Sequence, residues 1–255
     1  MVNFLNTPMT KANNLPLSMN TYPDNKFSCQ VLIKIIKNEY VEDLLKGYLY
    51  MNPFKYFRNF EEKNTVGDDL EGIDSSYRAE DVIIKISNDK DELIPNGVFG
   101  RCNFHNNYVE NSNLFSLSAF SFEKLPEGIT KFFLDKNFRE FKGDKAIVIL
   151  DVPRFISKTQ SAMESLKNII QIPNEPFFIR HIDYVSDSYN GRLGVFRKLE
   201  KYQWQQELRI AIYRNVKKIK SKPYILKIGS IRSFSVVMDT EELISKGATI
   251  NKQNR

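Results

Sequence analysis

Tyr202-Gln-Trp-Gln-Gln-Glu-Leu-Arg-Ile-Ala-Ile-Tyr213 is the stretch on which the reading of this chain turns. In an extended strand, successive residues face opposite sides. Trp204, Gln206, Leu208, Ile210 and Ile212 then share one mostly apolar side, and Gln205, Glu207, Arg209, Ala211 and Tyr213 share the other. An amide, a carboxylate and a guanidinium project in a row from that second face. The apolar residues around them put the strand inside a sheet rather than at its edge. A charged row on an interior strand lines a cleft more often than it meets solvent. A Glu207–Arg209 pair that simply neutralises itself is the competing reading.

Working outward, a strand is expected at Ser28–Ile36, where Lys34 is the single charge among Val31, Leu32, Ile33, Ile35 and Ile36. A buried, unpaired ammonium is costly, so Lys34 must reach an anion or the edge of the sheet. Asn38 is placed to cap a helix over Glu39–Lys46 that stops at Gly47. Tyr48–Met51 reads as a short strand and Pro53–Glu61 as an aromatic helix or turn. Further strands are expected at Val82–Ile86, Gly97–Phe104, Asn113–Phe122, Lys145–Leu150, Phe177–Val185, Tyr224–Ile228 and Phe234–Val237. A helix from Pro153 to about Ile170 has Asp151 as its cap, and Asp239 caps another over Thr240–Lys246. Tyr189–Leu199 reads as a glycine-containing loop. Strands and helices do not alternate as βαβα, so the expected class is α+β: one domain of mostly antiparallel sheet with flanking helices. Residues 1–27 read as a polar leader and residues 28–255 as that single domain.

The 255 residues are 42% hydrophobic and 27% charged, enough for one sizeable core. No apolar run approaches the roughly 18 residues of a membrane span, and residues 1–20 do not read as a secretory signal. Two cysteines, Cys29 and Cys102, make neither a disulfide framework nor a Cys/His metal set, so a reduced cytoplasmic setting is expected. The net charge of +6 is unevenly spread. Residues 1–194 hold 23 basic against 26 acidic residues, and residues 195–255 hold 14 against 5. Such asymmetry points to an anionic ligand or a nucleic acid as partner, or to a solubilising basic surface.

Other stretches carry weaker signals. In Phe115-Ser-Leu-Ser-Ala-Phe-Ser121, Ser116 and Ser118 share a face and offer hydroxyls where a ligand could approach the backbone. Tyr56 and Phe57 could stack on a base or a nicotinamide ring. The acidic stretch Gly67-Asp-Asp-Leu-Glu-Gly72 could hold a divalent cation, and Arg214–Lys222 could meet phosphates. His105 and His181 accompany no Ser or Cys motif, and there is neither a P-loop nor a GxGxxG element.

Taken in order, Lys34, Ser116-Leu-Ser118 and Gln205-Gln-Glu207 resemble the three core-strand motifs of the ADP-ribosyltransferase-like superfamily. More narrowly, Gly67-Asp-Asp-Leu-Glu-Gly72, Trp204-Gln-Gln-Glu-Leu-Arg209 and Lys227-Ile-Gly-Ser230 resemble motifs of an uncharacterised bacterial and phage family. The resemblance covers roughly residues 28–245. It departs from the superfamily in having Lys34 where many members carry Arg or His, and in lacking the central Thr of the Ser-Thr-Ser pattern. It implies split β-sheets and a mono-ADP-ribosyltransferase activity that takes NAD⁺ as substrate, in a toxin or phage-conflict setting. Glu207 would be the catalytic carboxylate and Gln205 would face a nucleic-acid or protein acceptor. Lys34, Ser116, Ser118, Tyr56, Phe57 and Arg209 would bind the dinucleotide. Two alternatives stay open: a non-catalytic nucleotide- or nucleic-acid-binding protein that uses the basic C-terminal surface, and a metal-dependent nuclease built on the acidic stretch.

Overall fold

The most apolar runs of the sequence, around Leu32 and Ile147, become adjacent central strands with both faces covered. A computed structural model describes residues 29–61, 73–82, 100–106, 109, 112–122, 129–167, 179–213 and 222–251. In chain order these form β1 (Cys29–Ile36), α1 (Val41–Leu45), β2 (Tyr48–Pro53), α2 (Phe54–Glu61), β3 (Ser75–Arg78), β4 (Arg101–Phe104), β5 (Asn113–Phe122), β6 (Ile129–Phe132) and β7 (Lys145–Ile149). They continue with α3 (Val152–Glu164), β8 (Ile179–His181), β9 (Asp183–Val185), β10 (Gly191–Arg192), β11 (Arg197–Leu199), β12 (Glu207–Ile212), β13 (Tyr224–Lys227), β14 (Ser235–Asp239), α4 (Thr240–Ser245) and β15 (Ala248–Asn251).

The class is α+β, with sheets that are antiparallel apart from the β9–β11 pair. The main sheet runs β13-β2-β5-β1-β7-β14, with β12 on β5 and β8 beyond β12. On β1 and β7, Leu32, Ile147 and Ile149 face one apolar cluster that includes Phe155, Ile156 and Met163 of α3. Val31, Ile33, Ala146 and Val148 face a second cluster that includes Phe138 and Leu243. A strand buried on both sides gains from apolar residues at every position, which is why these runs do not alternate.

β5 organises the site. Ser118 pairs with both Ile33 of β1 and Glu207 of β12, and Leu114 pairs with both Asn52 of β2 and Ala211 of β12. One edge of β5 is therefore covered continuously by β12 over residues 113–118. The other edge is shared, by β2 at residues 113–114 and by β1 at residues 118–122. Between them, residues 115–117 have no strand partner on that edge, and the sheet is split there.

Several expected boundaries move. The strand expected at Trp204–Tyr213 starts only at Glu207, because Glu200–Gln205 is a 3-10 turn that ends on Gln206 with φ 43°. Asn38 does not cap by its side chain; its backbone N–H donates to Asp144 Oδ1 at 2.8 Å, and a 3-10 turn (Asn38–Tyr40) leads into α1. Asp151 and Asp239 do accept from backbone N–H groups at the starts of α3 and α4. The leader, the acidic stretch 64–72, residues 83–86 and the basic turn 214–221 lie outside the described residues. No described helix is long and apolar enough to cross a membrane.

Candidate functional site

A cavity of about 150 Å³ opens at the split in the sheet. Its walls include Lys34 from β1, Ser116 and Ser118 from β5, and Glu207 and Arg209 from β12. Gln205, Lys198, Phe57 and Phe141 also line it. Seven of the eight residues singled out from the sequence thus meet in one place. Tyr56 does not: it is 46% exposed and lies off the cavity, because its neighbour Phe57 takes the inward side of α2. Tyr56 meets the Phe57 ring edge-on, with centroids 5.8 Å apart.

Glu207 is 7% exposed and Arg209 2%. Arg209 Nε donates to Glu207 Oε1 at 2.6 Å and Nη2 to Oε2 at 3.3 Å, the two-pronged geometry that a guanidinium and a carboxylate favour. Arg209 Nη1 donates to the Val195 carbonyl at 2.8 Å, and the guanidinium lies over the Phe54 ring. The backbone N–H of Glu207 donates to the Tyr184 hydroxyl at 2.9 Å, and burial pushes that phenol up to about 12. The position and orientation of the carboxylate are set from three sides: by β5 pairing, by Tyr184 and by Arg209.

Lys34 resolves the question its sequence raised, and not with a carboxylate. Its Nζ donates to the Ser116 carbonyl at 2.7 Å, and it sits over the Phe115 ring. That carbonyl stands in the gap left by β1 and β2, so the ammonium takes the place of a strand partner. Among the described residues no carboxylate comes within ion-pair distance of Lys34. Burial pulls its pKa down from 10.5 to about 8, while the charge of Glu207 acts the other way. The Ser116 and Ser118 hydroxyls make no hydrogen bond within the described chain.

Lys198 is the site residue that sequence reasoning missed. It stands on β11, 4% exposed, with Nζ 3.1 Å from Gln205 Oε1 and 3.8 Å from Glu207 Oε2. Little in the sequence announces it: Lys198 stands beside Arg197 in Leu193–Leu199, part of a glycine-containing stretch that reads as a loop. Gln205 is 2% exposed, and its Nε2 has no hydrogen-bond partner among the described residues. The described lining thus combines three cations, one carboxylate, two free hydroxyls and one free amide nitrogen.

Elsewhere, His181 lies on β8 with its pKa lowered by burial, and His105 is exposed. No group of three or more His, Cys, Asp or Glu among the described residues could hold a metal ion. No family model matches the chain, and no curated protein or solved structure matches it.

Proposed function

We propose that this chain is an ADP-ribosyltransferase-like enzyme that uses NAD⁺ as substrate, with Glu207 as its catalytic carboxylate. The observation that carries this reading is the convergence of Lys34, Ser118 and Glu207 from three neighbouring strands on one cavity at a split in the sheet. The cavity's size favours one end of a dinucleotide. A cavity near 150 Å³ accommodates a single six-membered ring such as benzene, so the nicotinamide end would enter and the rest would lie outside. Lys34 and the two serines offer donors to ribose and phosphate oxygens, and Phe57 offers a ring face.

The chemistry needs negative charge beside the ribose. As the bond between C1′ and the nicotinamide nitrogen breaks, nicotinamide leaves with the bonding pair and the ribose gains oxocarbenium character. A buried, ionised carboxylate stabilises that charge. The acceptor's nucleophile then bonds C1′ and gives up a proton. Arg209 and Lys198 keep Glu207 ionised in its buried position, since nearby positive charge favours the charged carboxylate.

A second reading rests on the same ion pair. If the Arg209–Glu207 pair is purely structural, the cavity belongs to a non-catalytic nucleotide- or nucleic-acid-binding protein. Nicotinamide release from NAD⁺, with and without cell lysate as the acceptor source, separates the two. Glu207→Gln, which keeps the shape and removes the charge, should lower release by about 10²–10³-fold. NAD⁺ binding without release would favour the binding protein. The absence of both from folded wild-type protein would reject NAD⁺ as the ligand.

A further inference from the structure

We propose that Lys198 is a positioning residue that turns the Gln205 amide so that its nitrogen faces the cavity, making the site selective for a ligand group that presents a hydrogen-bond acceptor there. An ammonium carries three donors and no acceptor, so an amide beside it must offer its oxygen. Gln205 does so, accepting from Lys198 Nζ at 3.1 Å. Because the amide is planar, its NH₂ group is directed away from Lys198. That group is buried in a residue that lines the cavity, and no acceptor within the described chain meets it. A buried amide nitrogen left this way is costly, and an acceptor oxygen brought by a ligand would remove the cost. A donor-only group, such as an ammonium, would meet donor against donor.

Lys198 is itself held in place. Its side chain is buried, its ammonium lies over the Tyr202 ring and near Glu207 Oε2, and its backbone pairs with Tyr184 in the β9–β11 ladder. Tyr184 in turn receives the Glu207 N–H, so one small unit orients both Gln205 and Glu207. Gln206, in the left-handed region, separates the 3-10 turn from β12 and lets residues 205 and 207 reach the same cavity.

The inference rests on the functional reading above only in taking the cavity as the ligand site, and its test has a readout that does not need turnover. In ¹⁵N-labelled full-length protein, the Gln205 side-chain NH₂ signals are assigned by their loss in Gln205→Leu. They should shift on Lys198→Met in the absence of any ligand, and in the wild type they should shift again on adding NAD⁺. Lys198→Met should weaken NAD⁺ binding about tenfold, Lys198→Arg by no more than about threefold, and Lys198→Met in a Gln205→Leu background by less than about twofold. The inference is overturned if the ligand-free signals ignore Lys198→Met, or if the two substitutions add in full. It is also overturned if wild-type protein binds NAD⁺ without moving the Gln205 signals, a result that needs no variant to fold. Should wild-type protein bind no NAD⁺, the functional reading fails alone, and the ligand-free comparison still decides the role of Lys198.

Discussion

Replacing Lys34 by Met should stabilise the protein at neutral pH, and the gain should fade as the pH rises. Lys34 has a pKa of about 8 in the folded chain against 10.5 when unperturbed. Below pH 8 it is charged in both the folded and the unfolded states, and the full cost of burying the charge opposes folding. Between pH 8 and 10.5 the folded chain has released the proton and the unfolded chain has not, so wild-type stability rises with pH. Above that window the side chain is neutral in both states and the cost is gone. At about 1.4 kcal/mol per pH unit, the cost below pH 8 is about 3 kcal/mol. Methionine keeps most of the apolar stem but leaves the Ser116 carbonyl without its donor, which costs about 1 kcal/mol. Lys34→Met should therefore be more stable than wild type by about 2 kcal/mol at pH 7, and less stable by about 1 kcal/mol near pH 11. Urea denaturation of both proteins at pH steps from 7 to 11 measures the difference, in which titrations common to both cancel. A difference that stays flat across pH 8–10.5, or a Met variant less stable at pH 7, would refute the reasoning.

Three further outcomes follow from the same geometry. If an anionic part of the ligand settles near Lys34, binding raises its pKa, so at pH 8.5 NAD⁺ should bind with uptake of on the order of half a proton, read by calorimetry in two buffers of different ionisation enthalpy. Arg209→Met leaves Glu207 buried without its bidentate partner and should cost about 3–5 kcal/mol in denaturation experiments, most of which Glu207→Leu added to Arg209→Met should restore. Gly47→Ala should cost at least about 2 kcal/mol by the shift of the denaturation midpoint, because Gly47 has φ 84° and a Cβ there would sit 2.0 Å from the Gly229 carbonyl oxygen.

How far the sequence could be read depended on whether local pattern or distant partners set each element. β5 has the bounds Asn113–Phe122 expected for it, and β1 and β7 were marked by apolar runs that only a strand covered on both faces needs. β3, β6 and β15 were not expected, nor were β10 and β11 within the expected loop Tyr189–Leu199. Ser75-Ser-Tyr-Arg78 carries little apolar signal and is a strand because β4 and β10 pair with it. The start of β12 was misplaced because the polar and aromatic residues of 202–205 alternate as well as a strand would. Gln206 adopts φ 43° with neither a Gly nor an Asn to announce the turn. The site was more legible than its surroundings, since lone charges in apolar stretches are costly enough to need a reason. Lys34 was found on that ground, and Glu207 and Arg209 as a charged row on one face of an interior strand. Lys198 did not meet the lone-charge criterion, since Arg197 adjoins it in a glycine-containing stretch that read as a loop, while Tyr56 failed because proximity to Phe57 in sequence says nothing about which side of a helix faces inward.

The two readings of the Glu207–Arg209 pair differ in what the surrounding cost is for. A buried ion pair is often no better for stability than apolar side chains of the same volume. Apolar side chains are at hand here, with Ile33, Leu114 and Leu117 lining the same cavity. The chain instead keeps a partly buried ammonium bonded to a neutral carbonyl, and two serine hydroxyls and an amide nitrogen without partners among the described residues. A structural pair explains Arg209 and Glu207 but none of these three. A ligand that carries acceptor oxygens explains all of them. At a hundredfold excess over its dissociation constant, such a ligand stabilises the fold by about 2.7 kcal/mol, close to the penalty at Lys34. The ion pair is then best understood as the support that keeps Glu207 ionised and oriented beside whatever satisfies its neighbours.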